Sequence, residues 1–238
     1  MNEKPHSPFL QTRWSLIQRV QAGGDEAETA LAELCTAYWF PLYGWARRAG
    51  ASPEDAEDVV QGFFGDVLRK RLFEKADASK GRLRTFLLTV FRRYQSDVRA
   101  KANAQQRSTA RVVSFDALAG EELYLAEVGV AATADAFYDR QWALTVLERT
   151  LAGLGDDYEK RGKLADFQQL RRYLTSDVDA DYASDAAALG TNEGTVRVAV
   201  HRLRERFGHA LRAEVAATQG ADGDVDAELA HLLQALEA

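Results

Sequence analysis

One cysteine, one methionine and four prolines in 238 residues exclude several classes of protein at once. With Cys35 alone, no disulfide forms within the chain and no cysteine-based zinc site can be assembled. Cys35 falls among Leu31, Leu34 and Tyr38, where a small buried apolar residue is the expected reading, and a reducing compartment suits it. No run of about 18 apolar residues occurs, so no membrane span is expected. The first ten residues lack the apolar stretch of a signal peptide, which makes the cytoplasm the expected location. His6, His201, His209 and His231 are scattered, without an HExxH pattern, and no glycine loop has the spacing that cradles phosphate. The acids between Asp55 and Asp58 lack the further ligands of a metal site. The expectation is a protein that is not an enzyme and uses no cofactor or metal.

Runs of β-branched residues are equally scarce, while alanine, leucine, arginine and glutamate recur throughout, so an all-α fold is expected. The net charge of -6 speaks weakly against binding nucleic acid by bulk attraction, but the charge is segregated. Between Arg69 and Arg111, 13 basic residues face 3 acidic ones, and between Thr195 and Arg212, 5 arginines face one glutamate. Acidic blocks flank these stretches: 8 acids against 2 bases from Asp25 to Val60, 5 acids and no base from Val112 to Tyr138, and 6 acids and no base after Arg212. Basic surfaces for nucleic acid beside a separate acidic surface would produce such a pattern.

Hydrophobic spacing predicts helices over Thr12–Gln21, Glu26–Arg48 and about Leu83–Asn103. Pro41 is expected to kink the second of these. Ser52-Pro53-Glu54-Asp55 places a cap, a proline at the first helical position and an acid at the third, and starts another helix. Residues 105–137 are acidic, weakly periodic and contain two glycines, and read as a linker of low regularity. Further helices are expected over Tyr138–Leu151 and about Lys163–Thr175, followed by a compact unit over Tyr182–Ala213. A last helix carries the apolar stripe Val225, Leu229, Leu232, Leu233 and Leu236.

The compact unit has the form of a helix-turn-helix. Ala186 and Ala187 allow close crossing of two helices, Gly190 supplies the positive φ of a tight turn, and Thr191 or Asn192 caps the second helix. Val196, Val200 and Leu203 recur at spacings of four and three and face inward, leaving Arg197, His201 and Arg202 outward, where an arginine can reach a guanine edge or a phosphate. An ordinary helical hairpin with a solvated arginine face is the plainer alternative.

Leu189-Gly190 and Gly194-Thr195-Val196-Arg197 resemble region four, the minus-thirty-five recognition domain, of extracytoplasmic-function sigma factors. Asp55-Ala56-Glu57-Asp58, then Val59-Val60-Gln61 and Phe63-Phe64, is similar to the family's region two, and Arg84-Thr85-Phe86-Leu87 through Arg92-Arg93 and Asp97 to Lys101 resembles its melting and minus-ten helix. The resemblance implies two helical domains joined by an acidic linker: an N-terminal segment over 1–24, region two over 25–104, the linker over 105–137, region four over 138–213 and a C-terminal extension over 214–238. It implies docking of Asp55, Glu57, Asp58 and Gln61 on the β′ clamp helices of core RNA polymerase, with region four at the β flap. It also implies minus-ten contacts or melting by Arg84, Arg92, Arg93, Asp97, Arg99 and Lys101, and minus-thirty-five contacts by Thr195, Arg197, Val198, His201 and Arg202. An anti-sigma factor or other regulator is a further partner that the family suggests. Three departures stand out: Asp185 replaces a usual apolar residue, the turn lacks Ile-Pro, and Gly162–Asp181 exceeds the usual connection.

Helix capping alone accounts for Asp55, and solvation alone accounts for most surface arginines. Phe91 and Tyr94 are expected either in the core or receiving an unstacked base. The linker acids Asp116, Glu121, Glu122, Glu127 and Asp135 read as a flexible tether or, by resemblance, as a nucleic-acid mimic threading towards the polymerase active site. The terminal helix either caps the second domain or covers a binding face. A helix-turn-helix regulator acting without polymerase, and a helical adaptor that binds no DNA, are the rival classes.

Overall fold

The computed structural model describes residues 14–77, 79, 81–102, 117–127, 133–174, 181–219 and 223–237, and among these the regular structure is entirely helical. The chain divides into two compact units, one formed by residues 1–145 with 216–238 and the other by residues 146–215.

In the larger unit, α1 (Trp14–Ala22) packs on α2 (Asp25–Arg48). From Leu34 to Ala46 almost every side chain of α2 is buried, which makes it the central helix of the unit. Pro41 lies inside this helix. The next helix, α3 (Pro53–Arg69), starts where the sequence signals it: Ser52 Oγ accepts from the backbone N–H of Asp55 at 3.1 Å. A 3₁₀ turn (Leu72–Lys75) leads on, held by Gln21 Nε2, which donates to the carbonyls of Phe73 and Ala76. On α4 (Leu83–Ala102), Leu83, Leu87 and Phe91 face inward. Phe63, Phe91 and Trp45 meet edge to face at ring distances of 5.2 and 5.8 Å. Each such fully buried side chain contributes about 1.5–3 kcal/mol.

The acidic stretch is not a tether throughout. Residues Ala117–Glu127 form α5, which is fixed to α2. Arg47 donates to both carboxylate oxygens of Glu121 at 2.8 and 3.0 Å, and Tyr43 O–H donates to the same group at 2.5 Å. Gly120 is the contact point: a Cβ there would stand 2.6 Å from the Trp39 ring, so only glycine permits this approach. Of the linker acids, Asp116 lies outside the described residues. The unit is completed by the start of α6 (Ala134–Lys160) and by α10 (Val225–Glu237).

In the smaller unit, the second part of α6, α7 (Leu164–Leu170), a 3₁₀ turn (Arg171–Leu174), α8 (Tyr182–Ala188) and most of α9 (Glu193–Thr218) enclose a separate core. Leu154, Tyr158, Phe167, Leu170, Tyr173, Val196, Val200 and Leu203 form it.

Candidate nucleic-acid interface

The turn between α8 and α9 is built from local chemistry. Gly190 adopts φ 64°, the left-handed conformation that the tight turn demands. Asn192 Oδ1 then accepts from the backbone N–H of Thr195 at 2.9 Å and from its hydroxyl at 3.2 Å, so Asn192 rather than Thr191 caps α9. Val196, Val200 and Leu203 are buried to within 2%. The period of the helix therefore turns Thr195, Arg197, Val198, His201 and Arg202 outward, and all five are exposed. Val198 is 49% exposed, an apolar residue set among basic ones. Such a face can offer guanidinium forks to base edges or phosphates and a methyl surface to thymine.

Asp185 explains its own oddity. It is fully buried, and its carboxylate accepts from Gln169 Nε2 and Arg172 Nη2, each at 2.7 Å, and from the Tyr173 hydroxyl. Burial pushes its carboxyl upward, but the hydrogen bonds from Tyr173, Arg172 and Gln169 outweigh burial and hold it below the ordinary carboxylate range. All three donors come from the long connection that precedes the helix-turn-helix. Tyr173 in turn stacks on Tyr182 at 5.4 Å, and the Arg197 guanidinium lies 4.8 Å above the Tyr182 ring. A buried carboxylate thus fixes α8, and α8 steadies the base of the exposed arginine face. Glu193, 3.6 Å from Arg197, adds an exposed pair of little energetic weight. The sequence singled out Asp185 as a departure without revealing its partners, because these lie 12 to 16 residues away.

In the larger unit the basic residues of α4 are not equivalent. Arg93 and Asp97 are exposed, while the side chains of Arg99 and Lys101 lie outside the described residues. Arg92, 44% exposed, reaches over the Trp45 ring and pairs with Asp135, which also accepts from Trp45 Nε1 at 2.7 Å. Burial raises the Asp135 carboxyl, yet the Arg92 and Trp45 hydrogen bonds leave it below its usual range. Arg84, expected to contact DNA, is covered in this structure. Its side chain is 5% exposed, lies 4.1 Å over the Trp142 ring and pairs with Glu228 of α10 at 2.9 Å. The surface residue missed beside it is Arg82, 35% exposed and 2.8 Å from Glu228.

Of the two places expected for Phe91, the core is the one observed. Phe91 is fully buried in the core, and Tyr94, half-buried, rests its hydroxyl against α3 at Gly62. Phe63 and Phe64 are both core residues. On α3, Asp55 and Asp58 are exposed, while Glu57 is half-buried and accepts from Gln61 Nε2 at 2.8 Å. Glu54, Asp55 and Asp58 make this end of α3 an acidic surface. Cys35 is buried and its thiol is pushed up to about 12 by that burial, which makes it unreactive.

Among the described residues no helix is long and apolar enough to cross a membrane, and no group of three potential ligands is placed to hold a metal. No protein-family model, curated protein or solved structure matches the chain.

Proposed function

We propose that this chain is a sigma factor of the extracytoplasmic-function type, binding core RNA polymerase and directing it to promoter DNA. The observation that carries the reading is the outer face of α9. Thr195, Arg197, Val198, His201 and Arg202 are all exposed on one helix whose opposite face is core, behind a capped, glycine-centred turn. This is the form in which a helix enters a major groove. On this reading α9 contacts the minus-thirty-five element. The exposed end of α4, with Arg93 and Asp97, serves the minus-ten region. The acidic end of α3 docks on the β′ clamp helices of the polymerase.

A second reading, a regulator that binds DNA through α9 without polymerase, draws on one observation: Arg84 and Arg92 are both engaged by acids of the chain itself. Association with core polymerase separates the two. The expected result is co-purification of the full chain with core enzyme, weakened by Asp58→Arg while circular dichroism keeps the helical signal, because rim charge governs such encounters. A charge-reversed chain that binds core normally would remove the α3 docking surface. A chain that binds promoter DNA tightly and core polymerase not at all would favour the regulator.

A further inference from the structure

Helix α10 buries Leu232 and Ala235, as an amphipathic helix should, but it also buries Glu228 completely, in the middle of the same face. A carboxylate there costs desolvation that an apolar residue would avoid. Its partners are Arg82 at 2.8 Å and Arg84 at 2.9 Å, at the head of the basic helix α4. These are charge contacts without alignment: neither Glu228 oxygen takes a well-directed hydrogen bond, and Arg84 Nη2 and Nε donate none. Two arginines thus hold an anion in a place where a group with more acceptor oxygens would satisfy them better.

The rest of the seat is also polar at its rim. His231 Nε2 lies 3.3 Å from Asp139, and Arg140 donates to the carbonyl of Leu236 at the end of α10. The helix carries its own start signal, since Asp224 Oδ1 accepts from the backbone N–H groups of Asp226 and Ala227 at 3.0 and 3.1 Å. Along α4, beside the seat, an open groove runs past Thr85, Leu88, Thr89 and Arg92 towards Asp135 and His231.

We propose that α10 is a displaceable occupant of a nucleic-acid surface: Glu228 stands where a backbone phosphate would sit on Arg82 and Arg84, and binding of nucleic acid along α4 expels the helix. This rests on the nucleic-acid reading given above and extends it to the regulation of that surface by the chain's own C-terminal segment. A covered surface is bound with an affinity lowered by the fraction of molecules in which it is open, so loosening the cover tightens binding without any new contact.

The test uses the full chain and two variants, with a labelled single-stranded oligonucleotide as the probe. Glu228→Gln removes the anion, and Leu232→Ala loosens the apolar side of α10 while leaving every charge in place. Circular dichroism checks that both remain helical. Both variants are expected to bind the oligonucleotide about tenfold more tightly than the parent, as an opening of the cover from a minor to a major population requires. In the parent, amide exchange across 225–237 is expected to accelerate when the oligonucleotide is present. If Glu228→Gln alone binds more tightly and the α10 amides stay protected with DNA bound, the glutamate merely repels DNA and the proposal is overturned. Equal binding by all three chains with α10 protected overturns it too. If neither the parent nor either variant binds any oligonucleotide, the failure lies one step earlier, in the nucleic-acid reading itself.

Discussion

Replacing Asp185 by alanine isolates the contribution of one buried carboxylate to the placement of the α9 face. Three donors converge on it, and a hydrogen bond to a charged group contributes about 1.5–3 kcal/mol. The full sum is not lost, because Arg172 is 41% exposed and recovers water when its partner goes. Tyr173 is only 3% exposed, so its hydroxyl is left buried without its acceptor. The net cost is expected at about 2–4 kcal/mol, between the loss of one buried donor's partner and the breaking of a buried pair. Trp14, Trp39, Trp45 and Trp142 all belong to the larger unit, so tryptophan fluorescence reports that unit and serves as the internal control. Amide exchange across α8 and the first turns of α9 reads the effect directly. Protection there should fall by the predicted amount while the tryptophan-detected urea midpoint stays put. A loss below about 1 kcal/mol, no more than a single neutral hydrogen bond, would refute the claim that this carboxylate holds the helix-turn-helix together.

The same group sets a pH dependence. Its folded-state carboxyl titrates below the unfolded value of about 3.9, so its stabilisation is present above that pH and disappears as the pH falls through the lower folded value. The opening free energy of α8, taken as exchange protection relative to the unstructured chain at each pH, should therefore be constant from neutrality to about pH 5 and fall under acid, with Asp185→Ala lacking that acid step. Gly120→Ala drives a methyl into the Trp39 ring and should cost about 1–3 kcal/mol, read as a lower tryptophan-detected midpoint or as loss of α5 protection. Arg197→Ala should weaken discrimination for a minus-thirty-five sequence by about 1–3 kcal/mol in competition binding and leave the melting temperature nearly unchanged.

The helices from α1 to α4 were legible because their signals are local. The Ser52 cap, the Gly23-Gly24 break and the apolar spacing of each segment lie within a few residues of the elements that they define. The helix-turn-helix was legible for the same reason, through Gly190, Asn192 and the Val196, Val200, Leu203 stripe. Helix α5 was not, since Gly120 reads as a breaker and its acids read as linker. Its order comes from Trp39, Tyr43 and Arg47, more than 70 residues earlier in the chain. The burial of Arg84 was only half legible: three and seven residues before Leu87 and Phe91, it shares their face of α4, but nothing near it in sequence announces that Glu228 and Trp142 will cover it. Glu228 interrupts an apolar stripe, a visible irregularity whose meaning required the two arginines opposite.

The most direct test of the account is runoff transcription from genomic promoter fragments, with purified core polymerase and the full chain. The prediction is discrete transcripts that depend on the added chain and are lost with Arg197→Ala and Arg202→Ala combined. Core enzyme that gains no start-site selection, from a chain shown to be folded, would contradict it.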